Sequence, residues 1–153
     1  MSKLIKKLRI KKCVSVSKSA KFVYEGNLVL NSNCCIRVRE NAKLKIGRNV
    51  FFNNNCVLTC RESVTIGNNV IFGPNVLIFD NDHNYIDSDF MHKFITKPIV
   101  IEDNVWIGGN VTILKGAYIC SGAVIGAGCV VRGRVEPDTV MYTSGEAFKF
   151  KLK

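Results

Sequence analysis

His83 and His92 are the two imidazoles of this 153-residue chain, and both lie in one acidic segment, Asp80-Asn-Asp-His-Asn-Tyr-Ile-Asp-Ser-Asp-Phe-Met-His-Lys-Phe-Ile-Thr-Lys-Pro98. Asp80, Asp82, Asp87 and Asp89 surround them. A carboxylate beside an imidazole fixes its tautomer and raises its basicity, which suits a general base working near neutral pH. The residue types alone leave a second reading, a solvated loop histidine with no chemical task. Seven cysteines (Cys13, Cys34, Cys35, Cys56, Cys60, Cys120 and Cys129) offer a thiolate nucleophile or a metal site as other chemistries. Cys56-x3-Cys60 is a poor zinc pair, however, and no second Cys or His pair stands near it, so no metal is expected.

The elements that must position these groups follow from a six-residue repeat, in which two apolar residues flank one variable position and a three-residue turn follows. The C-terminal half runs in unbroken phase through Ile99-x-Ile101, Val105-x-Ile107, Val111-x-Ile113, Ala117-x-Ile119, Ala123-x-Ile125 and Cys129-x-Val131. The middle runs Leu44-x-Ile46, Val50-x-Phe52 and Cys56-x-Leu58, then Val64-x-Ile66, Val70-x-Phe72 and Val76-x-Ile78, with one slip where Arg61-Glu62-Ser63 lengthens a turn by two residues. Residues n and n+2 of a strand share a face, so each hexad is a very short strand. Asn49, Asn55, Asn69, Asn75, Asn104, Asn110, Gly116, Gly122 and Gly128 fall at the same turn position, and all tolerate positive φ. A period of 3.6 cannot produce this repeat, and a solenoid of parallel coils can. The histidine segment is the one long insertion in it, and long insertions on rigid scaffolds carry function. The repeat also points Cys56 and Cys129 inward as small core residues and Cys120 outward, away from any histidine, which argues against a Cys–His nucleophile.

Composition narrows the possibilities further. An apolar content of 47% supports a sizeable core in a single domain. The longest apolar runs, such as Val76-Leu77-Ile78-Phe79, fall far short of a membrane span, and no apolar block follows the basic start as a signal peptide requires. An intracellular protein with reduced thiols is expected. The net charge of +10 first suggests a nucleic-acid surface. Residues 1–21 nevertheless hold eight basic residues and no acid, and the tail adds Lys149, Lys151 and Lys153, so the body between them is nearly neutral. No nucleic-acid partner is expected. The chain therefore reads as a basic arm at 1–21, a repeat domain at 22–140 with its loop at 79–98, and a tail at 141–153.

Val105-Trp-Ile-Gly-Gly-Asn-Val-Thr-Ile-Leu-Lys-Gly116 and Ala123-Val-Ile-Gly-Ala-Gly-Cys-Val-Val131 resemble the signature blocks of the hexapeptide-repeat acyltransferases, in the galactoside, maltose and xenobiotic acetyltransferase branch. The resemblance covers roughly residues 28–140. It implies an all-β fold, a left-handed parallel β-helix of about five coils, assembled as a homotrimer with sites between subunits. It implies acetyl-CoA as acyl donor and direct transfer to an acceptor, with His83 as the base and His92 structural or substrate-contacting at most. By the same resemblance, Asn53 of a neighbouring subunit shapes the acceptor site; Asp80 and Asp82 of the histidine segment are further substrate-binding candidates. Trp106, Gly109, Ala127 and Gly128 lie along the cofactor. The family's phosphate-binding lysine is replaced here by Gly133, flanked by Arg132 and Arg134, and Lys115 is a further candidate; Arg can replace Lys at phosphate.

The acceptor expected is a hydroxyl of a capsule, lipopolysaccharide or exopolysaccharide sugar, in a bacterial cytoplasm. Two alternatives stand beside it: N-acetylation of an amino or nucleotide-linked sugar, and a non-catalytic scaffold that binds polyanions through its basic ends. Leu4, Ile5 and Leu8 within residues 1–12 could form one apolar helical face, giving the arm a peripheral contact with an anionic membrane surface.

Overall fold

The computed structural model describes residues 13–143 and the backbone of 147–149. The chain winds as a parallel β-solenoid. The first coil carries β1 (Val14–Val16), β2 (Lys21–Tyr24) and β3 (Leu28–Leu30), and the second β4 (Cys35–Val38), β5 (Lys43–Ile46) and β6 (Val50–Phe52). The third carries β7 (Val57–Cys60), β8 (Ser63–Ile66) and β9 (Ile71–Phe72). The fourth holds β10 (Leu77–Phe79), then a two-stranded excursion of β11 (Asn81–His83) and β12 (Phe94–Thr96), then β13 (Ile99–Ile101) and β14 (Trp106–Ile107). Next come β15 (Thr112–Leu114), β16 (Tyr118–Ile119) and β17 (Val124–Ile125), and after them β18 (Val130–Val131), β19 (Arg134–Val135) and β20 (Thr139–Met141). Finally β21 (Ala147–Lys149) pairs antiparallel with β20.

Equivalent strands stack into three parallel faces: face A from β1 to β18, face B from β2 to β19, and face C from β3 to β20. Five turns carry the chain from β1 to β18, and β19 and β20 extend it. The stack is deeper at its N-terminal end than the repeat alone predicts. β1 lies inside the segment expected to be a free arm, and β20 reaches into the expected tail. Residues 1–12, with their expected membrane contact, lie outside the described residues.

Asn49, Asn55, Asn69, Asn75, Asn104, Asn110, Gly116, Gly122 and Gly128 all have positive φ, between 56° and 80°. Asparagine does more here than tolerate the corner. Asn27, Asn49, Asn69 and Asn104 form one side-chain amide ladder at 3.0–3.1 Å, and Asn33, Asn55, Asn75 and Asn110 a second. Inside, the two apolar residues of each hexad stack into a continuous core, with Phe52 on Phe72 at 4.3 Å between ring centroids.

None of the seven cysteines forms a disulfide, and Cys120 is buried, although the alternation placed it outward. It sits at a corner, where the chain has left the strand and period-two alternation no longer decides which way a side chain points. Burial pushes the Cys60 thiol up to about 12, with the Asp80 charge adding to it, and Cys56 is raised by its hydrogen bond with Cys34 and then by burial. Among the described residues no helix is long and apolar enough to cross a membrane, and no cluster of His, Cys, Asp or Glu could hold a metal.

Irregularity concentrates at one corner, between faces A and B. Register along face A advances by 22 residues from Val14 to Ile36, and by only 18 from Ile113 to Val131. The difference is taken up between the A and B strands: residues 39–42 in the second coil, 61–62 in the third, and 80–98 in the fourth. The slip at Arg61-Glu62-Ser63 and the long insertion are therefore successive rungs of one corner.

Candidate functional site

The insertion leaves the solenoid as a short antiparallel ribbon in which Asn81 pairs with Thr96, Asp82 with Ile95 and His83 with Phe94. His83 thus stands at the end of a strand, rooted in the coil by Asp80. Its Nδ1 lies 2.8 Å from the carbonyl oxygen of Phe90. A carbonyl only accepts, so Nδ1 carries the proton and the neutral ring keeps its lone pair on Nε2. The ring packs against Phe94, with 4.5 Å between centroids. Orientation by a partner on one nitrogen, with the other left basic, is the arrangement a general base requires. The partner differs from the sequence expectation, since a backbone carbonyl does the orienting. The carboxylate pair forms instead at His92, whose Nδ1 lies 2.7 Å from Asp89 Oδ1 on the exposed loop.

Asp80, expected at the substrate, is fully buried. Its carboxylate accepts the backbone N–H groups of Arg61 (2.8 and 3.0 Å), Glu62 (2.8 Å) and Ser63 (3.0 Å), and the Asn81 side-chain amide at 3.0 Å. It staples the lengthened turn of one coil to the root of the loop in the next. The physical reason for the correction is saturation: a buried carboxylate already holding four donor groups has no capacity for a sugar. Asp82, two residues on, pairs with Lys115. That joins an expected substrate residue to an expected cofactor residue at the A–B corner.

Arg132 is exposed directly after β18 on the same side. Arg134, expected at phosphate, faces outward from face B, its guanidinium 4.8 Å from the Tyr118 ring centroid and its Nε 3.1 Å from Glu136. It is committed to those two partners, because a single step past the corner turns its side chain onto another face.

The remaining candidates gather elsewhere. Trp106 is 56% exposed on face C, in register with Ile71 and Val124. Asn53, Gly109, Ala127 and Gly128 lie at the corner between faces C and A. The Asn53 carboxamide oxygen accepts from the Asn54 backbone N–H at 2.8 Å and from the Asn31 side chain at 3.4 Å. Gly128 has φ +76°, so the backbone explains its identity. Gly109 has no such need: a Cβ there would meet Pro74 at an ordinary 3.4 Å. Within one chain the candidates therefore form two groups at the two edges of face A. His83, Asp82, Lys115 and Arg132 stand at one edge, and Asn53, Gly109, Ala127 and Gly128 at the other, with Trp106 on the adjoining face.

Two residues beside His83 were missed in the sequence. Phe94 carries its ring, and the Arg61 guanidinium carbon lies 3.4 Å from the Phe94 centroid. The two-residue slip in the repeat marks the corner where Arg61 stands, but hexad phase does not say what that corner faces.

Residues 98–133 match the family model for the bacterial transferase hexapeptide (six repeats). Over these repeats the chain is similar to hexapeptide-repeat acetyltransferases, galactoside O-acetyltransferases among them. It is 39% identical over 82 residues to the galactoside O-acetyltransferase of Escherichia coli K12, covering 51% of this chain and 39% of that one. It is also 39% identical over 90 residues to WbbJ of the same organism, named for O-acetyl transfer in lipopolysaccharide biosynthesis, covering 52% of this chain and 46% of that one. A hexapeptide-repeat acetyltransferase of Vibrio cholerae, solved with acetyl coenzyme A, superimposes with a TM-score of 0.66 at 34% identity, covering 76% of this chain and 64% of that one. The chain spans less than half the length of these two Escherichia coli relatives.

Proposed function

We propose that this protein transfers acetyl from acetyl-CoA to a sugar hydroxyl, with His83 as general base and no covalent enzyme intermediate. The observation that carries this reading is the fixed tautomer of His83, whose Nδ1–H is committed to the Phe90 carbonyl so that Nε2 is the basic atom. The relatives' names and the acetyl-CoA-bound Vibrio structure support the donor. Acetyl-CoA supplies a thioester that is already activated, so the chain need only move a proton and hold the two substrates. Nε2 takes the proton of the acceptor hydroxyl as its oxygen attacks the thioester carbon. The imidazolium, steadied on Phe94, then returns that proton to the departing thiolate sulfur. In this reading Lys115 and Arg132 meet the donor's phosphates, and Gly109 leaves room for its chain.

The two groups of candidate residues meet only if the far edge of one chain faces the near edge of another. A homotrimer with shared sites is the assembly we propose. The outward column Val29, Phe51, Ile71, Trp106, Val124 and Val140 on face C supports it. Ile71 is 49% exposed and Trp106 56% exposed on an otherwise continuous apolar stripe, which a partner would cover.

The test is thiol release from acetyl-CoA by the purified protein against a panel of sugars, with His83→Ala beside the wild type. Base catalysis is worth about two to four powers of ten, and His83 is exposed at a strand end, so turnover should fall by that factor with an unchanged unfolding midpoint. Wild-type turnover in His83→Ala would overturn the assignment.

A further inference from the structure

Beside His83 the A–B corner presents two stacked arginines. Val38 pairs with Cys60 in the face A ladder, so Arg39 and Arg61 follow on adjacent rungs. Arg61 lies on Phe94 at 3.4 Å, and Phe94 packs on His83 at 4.5 Å. One phenyl ring thus separates the guanidinium from the base, a gap that a single sugar residue spans.

Arg39 has one long ion pair and Arg61 none among the described residues. Arg39 Nε is buried with no hydrogen-bond acceptor, and its ionic neighbour, the exposed Glu40, is 4.0 Å away with one oxygen already bonded to Ser17. None of the ion pairs among the described residues involves Arg61. The Asp80 carboxylate beneath is consumed by backbone donors. Burial and then the neighbouring Arg39 charge lower the Arg61 pKa, opposed by the Glu40 and Asp80 charges. Two arginines on adjacent rungs, one with an unused buried donor, carry a cost that a bound oxyanion removes.

We propose that Arg61 and Arg39 form an oxyanion subsite beside the base, so that the sugar acetylated carries an anionic group, a carboxylate or a phosphate, about one residue from the reacting hydroxyl. The proposal rests on the acetyltransferase reading. Arginine suits this task because its planar fork meets both oxygens of a carboxylate or phosphate. A neutral hexose leaves the pair unmatched.

The experiment compares acceptor KM for glucose, galactose and mannose with that for their uronic acids and 1-phosphates. The whole 153-residue chain is used with acetyl-CoA in thiol-release assays at low and high salt. A charge-assisted pair at a partly exposed site is worth about tenfold. At least one anionic form should therefore show a KM about ten times below its neutral parent, with the advantage shrinking in high salt. Arg61→Gln and Arg39→Gln should each abolish that advantage, Arg61→Lys should restore part of it, and the KM for acetyl-CoA should stay unchanged. Preference for uronic acids identifies a ring carboxylate, and preference for 1-phosphates identifies a phosphate ester.

Equal KM values for neutral and charged sugars, or a raised KM for acetyl-CoA in Arg61→Gln, would overturn the subsite. If no acceptor reacts, calorimetric titration of the same sugars separates the two ideas. Binding of an anionic sugar that Arg61→Gln loses sustains the subsite without the transferase, and absence of such binding overturns the subsite. Should Arg61→Gln lower the unfolding midpoint, Arg39→Gln carries the test, since 43% of the Arg39 side chain is exposed.

Discussion

Replacing Asp80 with Ala separates a structural staple from a substrate ligand. In the wild type one buried carboxylate receives the backbone N–H groups of Arg61, Glu62 and Ser63 at 2.8–3.0 Å. Alanine removes all three acceptor contacts at once. A buried donor left unpaired costs about 1–3 kcal/mol. Residues 61–63 are half-buried and water will reach some of them, so the lower part of that range applies, giving about 3 kcal/mol in all. Against a domain stability of about 5–15 kcal/mol this is a large loss. With a urea slope of about 1–3 kcal/mol per molar, the unfolding midpoint of Asp80→Ala should fall by about 1–3 M. Asp80→Asn keeps the shape but turns an amide NH2 toward donors, and should recover only part of the loss. The assay is urea unfolding followed by far-ultraviolet circular dichroism, with acetyl transfer measured on the same preparations well below the transition. An Asp80→Ala protein as stable as wild type but with a raised acceptor KM would refute the staple and return Asp80 to the substrate.

Two further outcomes test the coil itself. Asn75 has φ +59° and both donates and accepts in its ladder, so Asn75→Ala should lose about 2 kcal/mol through backbone strain and the broken ladder. Asn75→Gly should recover the strain and leave the ladder's share visible in the same urea titration. The raised Cys60 pKa makes stability depend on alkaline pH. Cys60 stays protonated in the folded chain up to about 12 and ionises near 9 when unfolded. Its contribution is therefore whole below pH 9 and lost as pH rises toward 12. Thermal midpoints from pH 8 to pH 11 should fall, and Cys60→Ala should flatten that decline.

The repeat was legible because a solenoid writes its geometry locally. Each corner needs positive φ, each strand needs two inward apolar residues, and both demands recur every six residues, so all nine expected corner positions adopt the left-handed backbone. What could not be read was anything fixed between coils. The amide ladders join residues 20, 22 or 35 apart, and no hexad predicts them. The N-terminal coils were under-read because their A–B corners hold two to four extra residues, which hides the phase of β1 and β2.

The site was half legible for the same reason. His83 stands out as a candidate because it lies in the one long break of the repeat, but the partner on its Nδ1 could not be read. Carboxylates crowd the sequence around it, and proximity along the chain favours them, yet the ribbon pairing of His83 with Phe94 brings the Phe90 carbonyl to Nδ1 and leaves Asp89 to His92. Asp80 was misread through the same proximity, since its partners are the backbone of a turn 17 to 19 residues earlier. That coupling explains why the phase slip and the insertion occur on neighbouring rungs. A lengthened turn exposes three amide donors, a carboxylate on the next rung satisfies them, and the loop that begins at that carboxylate is anchored to the solenoid and not merely tethered to it. A base on such a loop can be held against Phe94, whose ring in turn meets Arg61 of the preceding coil. The proposed site therefore depends on irregularities in two coils that fit each other, and a change to either should disturb His83 without touching it.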